Sequence, residues 1–104
     1  MASFDVYANP DAQERKLIPF FLGVQNDHIE GFQTRLMVPL WDASMLSPLT
    51  ADFNPEFQIK GQRVVMDTPA LGAVPAAVFK RAIDNLGAQQ RVVQNALDTS
   101  FGSY

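Results

Sequence analysis

His28 is the chain's single histidine. Asp27 and Glu30 stand close by, so one short stretch carries an imidazole and two carboxylates, the raw material of an acid–base pair or a cation site. Adjacent charges in a loop are ordinarily just solvated, and that is the plainer reading of all three. A second chemistry would have to be assembled by folding: Arg35, Arg63, His28 and a carboxylate gathered into one cleft would make an RNA-cleaving site. Charge argues against it. Eight Lys and Arg face eleven Asp and Glu, a net charge of -3, whereas phosphate contacts from a basic patch supply much of the affinity for nucleic acid. Other chemistries lack their residues. With no cysteine there are no disulfides, thiolate nucleophiles or sulfur-rich zinc sites, which suits a reducing cytoplasm. The glycines are scattered without a phosphate-cradling spacing, and no serine sits in a G-x-S-x-G elbow. No cofactor and no metal are expected, and the reading shifts from catalysis to binding.

The elements that must position any site follow from periodicity. Ser3 to Ala8 sets Phe4 and Val6 against Asp5 and Tyr7, a strand pattern broken by Asn9-Pro10-Asp11. Leu17 to Gln25 reads as a second strand, with Pro19 marking an edge or a strand start. Asn26 to Gln33 is loop. Thr34 to Leu40 reads as a third strand ending at Pro39, after which Asp42 caps one short helical turn that Ser47-Pro48 stops. Phe53 to Ile59 and Arg63 to Met66 flank Lys60-Gly61-Gln62, a hairpin turn. The run "TPALGAVPAAVF" carries Pro69, Gly72 and Pro75 and is expected to lie along the sheet, extended and irregular. From about Leu86 the residues Leu86, Val93, Ala96, Leu97 and Phe101 form an apolar stripe, which predicts a C-terminal helix. Five strands and one helix make a single domain, residues 1–104, mainly β: a small antiparallel sheet or partly open barrel with a helix laid across it. No apolar run is long enough to span a membrane and no signal segment is expected. Hydrophobic residues make up 47% and charged residues 18%, a mix that predicts some apolar surface covered by a second chain.

The stretch "VVQNALDTSFGSY" is the feature left over. Phe101 is expected to close the helical stripe against the sheet. Gly102 is expected to end the helix, placing Ser103 and Tyr104 outside its register. An aromatic on a glycine hinge is a suitable probe for a partner's pocket. Trp41, at a strand end, reads as a partly buried core or interface residue.

Taken together, "FDVY", "VQNDHIEGFQTRLMVPL", "AVPAAVF" and "QNAL", in this order along nearly the whole chain, resemble the CcdB family of bacterial toxins. The resemblance implies a homodimer with a small SH3-like barrel and a C-terminal helix. It implies a fold related to that of the Kid and MazF ribonuclease toxins, without their cleavage chemistry. It implies a non-enzymatic poison that binds the A subunit of DNA gyrase and traps it on broken DNA. It also implies a cognate antitoxin, whose flexible segment folds on the toxin surface. The family's gyrase contacts carry over here to Asn26, His28 and Ile29 in the loop, and to Asp98, Gly102, Ser103 and Tyr104 at the end of the helix. Two departures stand out. Well-known members close on Trp-Gly-Ile, the tryptophan stacking on a gyrase arginine, where this chain has Gly102, Ser103 and Tyr104. His28 takes the place of a usual aliphatic residue. Two rival readings stay open on the same fold: an RNA-cleaving toxin using His28 and an arginine, and a homologue without poison activity that still binds antitoxin.

Overall fold

In a computed structural model the described residues are 3–24, 34–47 and 50–102. Strands β1 (Asp5–Ala8), β2 (Phe20–Gly23) and β3 (Thr34–Asp42) pair antiparallel in succession. Next come the hairpin of β4 (Glu56–Ile59) and β5 (Gln62–Met66), then β6 (Gly72–Pro75), β7 (Asp84–Asn85) and the helix α1 (Gln90–Phe101). The sheet runs β4-β5-β3-β2-β1-β7, and β6 also pairs with β3. The result is a nearly closed antiparallel barrel with one C-terminal helix, the expected fold class.

Alternation along the strands builds the core. Val6, Leu22, Val38, Leu40, Phe57, Ile59, Val64 and Met66 point inward and are buried, and α1 closes the cluster with Val93 and Ala96. Burying a side chain of this size contributes about 1.5–3 kcal/mol relative to leaving it exposed. The connection between β1 and β2 is organised by one buried amide. Asn9 donates through Nδ2 to Glu14 Oε1 at 3.0 Å and to the Ile18 carbonyl at 2.8 Å, while its Oδ1 accepts from the Asp11 amide at 3.0 Å. Without the Asn9 amide the Ile18 carbonyl and the Asp11 amide lose these partners, and the turn loses the side chain that spans it.

Several expected boundaries move, each for a physical reason. The described residues form seven strands instead of the expected five, because β6 and β7 are short and lie in stretches where proline or charge masks the alternation. The run from Thr68 to Val78 is extended only at β6; single 3-10 turns at Thr68–Ala70 and Ala76–Val78 flank it. β3 passes through Pro39 instead of ending there. The Pro39 carbonyl accepts from the Asp67 amide at 3.0 Å, and in a strand a residue's N and C=O face the same neighbour. The missing N–H therefore points at a gap between β5 and β6, where no ladder bond is lost. β1 starts at Asp5, after Phe4 adopts φ +67°, and β2 starts just after Pro19. The stretch before β4 is a turn, its Phe53 amide donating to Thr50 Oγ1 at 3.2 Å. After Asp42 comes a turn and not a helical one, capped as expected by the Asp42 carboxylate. Ser44, through its hydroxyl and amide, and Gln62 hold that carboxyl below the usual carboxylate range. The helix begins at Gln90 after a 3-10 turn at Gly87–Gln89, and Leu86 is buried ahead of it.

The β4–β5 hairpin matches its sequence most closely. Ile59 pairs with Gln62, and the two linking residues, Lys60 and Gly61, have φ +52° and +80°, the two-residue turn whose twist suits the strands. Lys60 has a Cβ in the left-handed region. Lys60→Asn is expected to stabilise the protein by a few tenths of a kcal/mol and Gly61→Ala to destabilise it by about 1 kcal/mol. Urea midpoints at unchanged slope check both; a neutral Gly61→Ala would mean that the turn does not hold this geometry.

Candidate functional site

Of the residues expected to touch a target, Asn26, His28, Ile29, Ser103 and Tyr104 lie outside the described residues. Their attachment points are described. Gly23 pairs with Met37, and the Val24 amide donates to the Leu36 carbonyl at 3.2 Å. Asn26, His28 and Ile29 thus belong to the connection that leaves the sheet after Val24 and returns at Thr34. Exposed Leu36 stands at its root.

The other expected contacts sit at the end of α1. Asp98 is exposed, its carboxylate accepting from Gln94 Nε2 at 3.1 Å and its carbonyl from the Gly102 amide at 2.8 Å. Gly102 has φ +81° and ψ 165°, and it caps the helix as expected: a Cβ at that φ is strained. The expectation for Phe101 fails. It is 44% exposed instead of docked on the sheet. Eight residues beyond Val93, it lies about 80° round the helix from the buried stripe, at its margin. An aromatic therefore stands open one residue before the cap.

Sequence reading missed a group on the outer face of the sheet. Tyr7, expected on the polar side of β1, is buried there: its ring packs on Phe79 at 5.5 Å, and Phe79 meets Phe21 at 5.7 Å. Gly23 borders this layer: a Cβ there would meet Met37 Sδ at 3.7 Å and the Tyr7 ring at 3.8 Å, ordinary packing distances. The Tyr7 hydroxyl donates to Asp5 Oδ2 at 3.4 Å, and Asp5 Oδ1 accepts from Asn85 Nδ2 at 2.8 Å. Burial, then the Asp5 charge and hydrogen bond, push the Tyr7 hydroxyl up to about 12, with Arg35 opposing. A phenol so placed stays protonated at neutral pH, so it serves as a donor and not as a base or nucleophile. The only sequence signal was a tyrosine in an otherwise regular alternation.

The two arginines considered for RNA cleavage are apart. Arg35 lies at the start of β3 against β6, whereas Arg63 lies beside the other end of β3, its carbonyl bonded to the Ala43 amide. Some eight strand residues separate the two positions, roughly 20–25 Å. Arg63 is also engaged, with Nε and Nη2 donating to Glu56 at 3.0–3.1 Å. No cleft holds both. Among the described residues no cluster of His, Asp or Glu is placed to hold a metal ion. No helix among them is long and apolar enough to cross a membrane.

Compared with known families, residues 3–102 match the model described as CcdB protein. No curated protein matches the chain.

The Tyr7 environment has a measurable pH signature. Its hydroxyl titrates higher folded than unfolded, so its contribution to stability is full below pH 10 and is lost as pH rises toward about 12. Tyr7→Phe is expected to flatten that alkaline loss of stability in urea titrations. It should also remove a tyrosinate absorbance step centred near pH 12. A Tyr7 step near pH 10 would show the hydroxyl to be open to water.

Proposed function

The chain belongs to the CcdB family, and from that membership we propose that it acts as the toxin of a type II toxin–antitoxin module, binding the A subunit of DNA gyrase and trapping gyrase on cleaved DNA. At the family level CcdB proteins are such toxins, poisons of gyrase and not themselves enzymes. The observation that carries the reading is the family match across residues 3–102, nearly the whole chain. The shape of the helix end supports it: Asp98 and Phe101 are exposed, and Gly102 turns the chain out of the helix.

In this reading two copies associate and wedge into the target across their shared twofold axis. Asn26, His28 and Ile29 contact gyrase from the β2–β3 connection, and Asp98, Gly102, Ser103 and Tyr104 contact it from beyond α1. The protein breaks no bond; gyrase cuts the DNA, and the toxin keeps the cut from resealing. Tyr104 takes the aromatic role that tryptophan has in well-known members, two positions later. His28 makes the loop contact more polar. A cognate antitoxin, folding onto the toxin as it binds, offsets its ordering cost with a large wrapped area. The RNA-cleaving rival gains no support from arginines placed at opposite ends of β3.

Purified protein added to gyrase, ATP and supercoiled plasmid is expected to accumulate linear DNA on denaturation of the complex. No cleaved DNA at large excess would overturn the proposal. Removal of Gly102, Ser103 and Tyr104 is expected to abolish trapping while the dimer mass by light scattering is unchanged; a truncated dimer that still poisons would assign the effect elsewhere. Tyr104→Ala should raise the concentration needed by about 5–30-fold, the equivalent of a lost contact of about 1–2 kcal/mol.

A further inference from the structure

Three of the chain's eight basic residues meet at one small cleft. It is lined by Ala8, Pro10, Arg15, Lys80, Arg81 and Ile83 and encloses about 200 Å³. Nothing in the linear sequence joins them, because Arg15 comes from the β1–β2 connection and Lys80 and Arg81 from the segment before β7. Folding holds both sides in place. Arg15 Nε donates to the carbonyl of Asn9, the residue whose buried amide organises that connection. On the other side, Phe79 is packed on Tyr7 and Phe21, and the Ile83 amide donates to the Val6 carbonyl at 2.8 Å, so Lys80 and Arg81 sit between two anchored residues.

Three carboxylates stand next to lining residues in the sequence, each accepting from a neutral donor through one oxygen. Asp11 Oδ1 accepts from the Gln13 amide at 3.0 Å, Glu14 Oε1 from Asn9 Nδ2 at 3.0 Å, and Asp84 Oδ1 from the Asn85 amide at 2.7 Å. None of the three cations pairs with a carboxylate among the described residues, by contrast with Arg63 on Glu56. A protein of net charge -3 thus gathers three cations without an ion-pair partner among the described residues around a mostly apolar hollow.

We propose that this cleft binds a phosphate monoester, the three cations taking its terminal oxygens while Ala8, Pro10 and Ile83 receive the carbons beside the ester link. A dianionic phosphoryl group has three terminal oxygens to share among two guanidinium forks and an ammonium, whereas a carboxylate offers one charge and two oxygens. The hollow is smaller than the roughly 300–1,000 Å³ of sites that enclose a whole drug-sized ligand. It therefore reads the phosphoryl end and a few neighbouring atoms. The cleft shares no residue with those proposed to meet gyrase, so the two readings are tested independently.

Amide shifts of the full chain, followed by NMR at constant ionic strength, test the assignment with sodium chloride as the reference. Ribose 5-phosphate is expected to move the amides of Ala8, Arg15, Arg81 and Ile83 saturably, inorganic phosphate to do so more weakly, and glutarate least. Lys80→Gln combined with Arg81→Gln should weaken ribose 5-phosphate binding at least about tenfold, with an otherwise unchanged spectrum reporting an intact fold. Absent or unsaturable shifts, equal binding by the double variant, or glutarate matching ribose 5-phosphate would each overturn the proposal.

Discussion

One edge of β3 serves two strands in turn, and most of the architecture follows from the break between them. Leu40 to Asp42 pair with β5, and Thr34 to Met37 pair with β6, both antiparallel and on the same side. Between the two ladders β3 has only Val38 and Pro39, while the opposite chain has Asp67 to Leu71. The surplus folds outward as the 3-10 turn Thr68–Ala70. This is a large bulge, and bulges bend and twist a sheet. Proline is tolerated in the middle of the longest strand because the bulge faces its missing donor.

The bulge is tied down by polar groups on both sides. Asp67 accepts from Trp41 Nε1 at 3.0 Å, and the fully buried Thr68 donates its hydroxyl to the Phe53 carbonyl. Asn54, also buried, donates to the Met66 carbonyl at 3.1 Å. These bonds satisfy backbone groups that the break in pairing would otherwise leave buried and unpaired. The turn in its place is where α1 packs. The helix therefore rests on the irregularity and not on a flat sheet face, which sets where its last turn, with Asp98, Phe101 and Gly102, leaves the body.

What the sequence made legible was governed by local physics. The Lys60-Gly61 turn, the Gly102 cap and the inward alternation of β2 and β4 depend on φ preference and a period of two, both visible within a few residues. β6 was read as irregular because its identity as a strand depends on β3, forty residues away, and Pro75 and Gly72 carry no strand preference of their own. Phe101 was misplaced because a stripe counted by offsets tolerates a drift that the buried face does not. The alternation sets Tyr7 opposite Val6 but announces no second layer on that face, since the layer forms only when Phe79 returns over it. The same holds for Arg15, Lys80 and Arg81: a charge-bearing cleft made by tertiary placement has no spacing to detect. On the proposed target-binding surface the legible part is the helix end, where capping chemistry is local. The loop residues came from family resemblance alone.

The proposed role, exercised by contact, asks different things of the side chains than catalysis does. Catalysis needs groups whose pKa values are drawn toward neutrality within reach of one another. Here the shifts run the other way: Tyr7 is driven up to about 12 and Asp42 is held low. Both are the marks of groups locked in one protonation state as hydrogen-bonding parts of a frame. The wedge proposed above needs the opposite of a catalyst, namely a stiff body with its contacts hung from anchored points. The Val24–Leu36 bond at the sheet end and the Asp98–Gly102 bond at the helix end are such points. Core substitutions at Val38 or Val93 should then act through the amount of folded protein, while changes beyond the two anchors act on recognition. That division is what separates a stability defect from a binding defect in this fold.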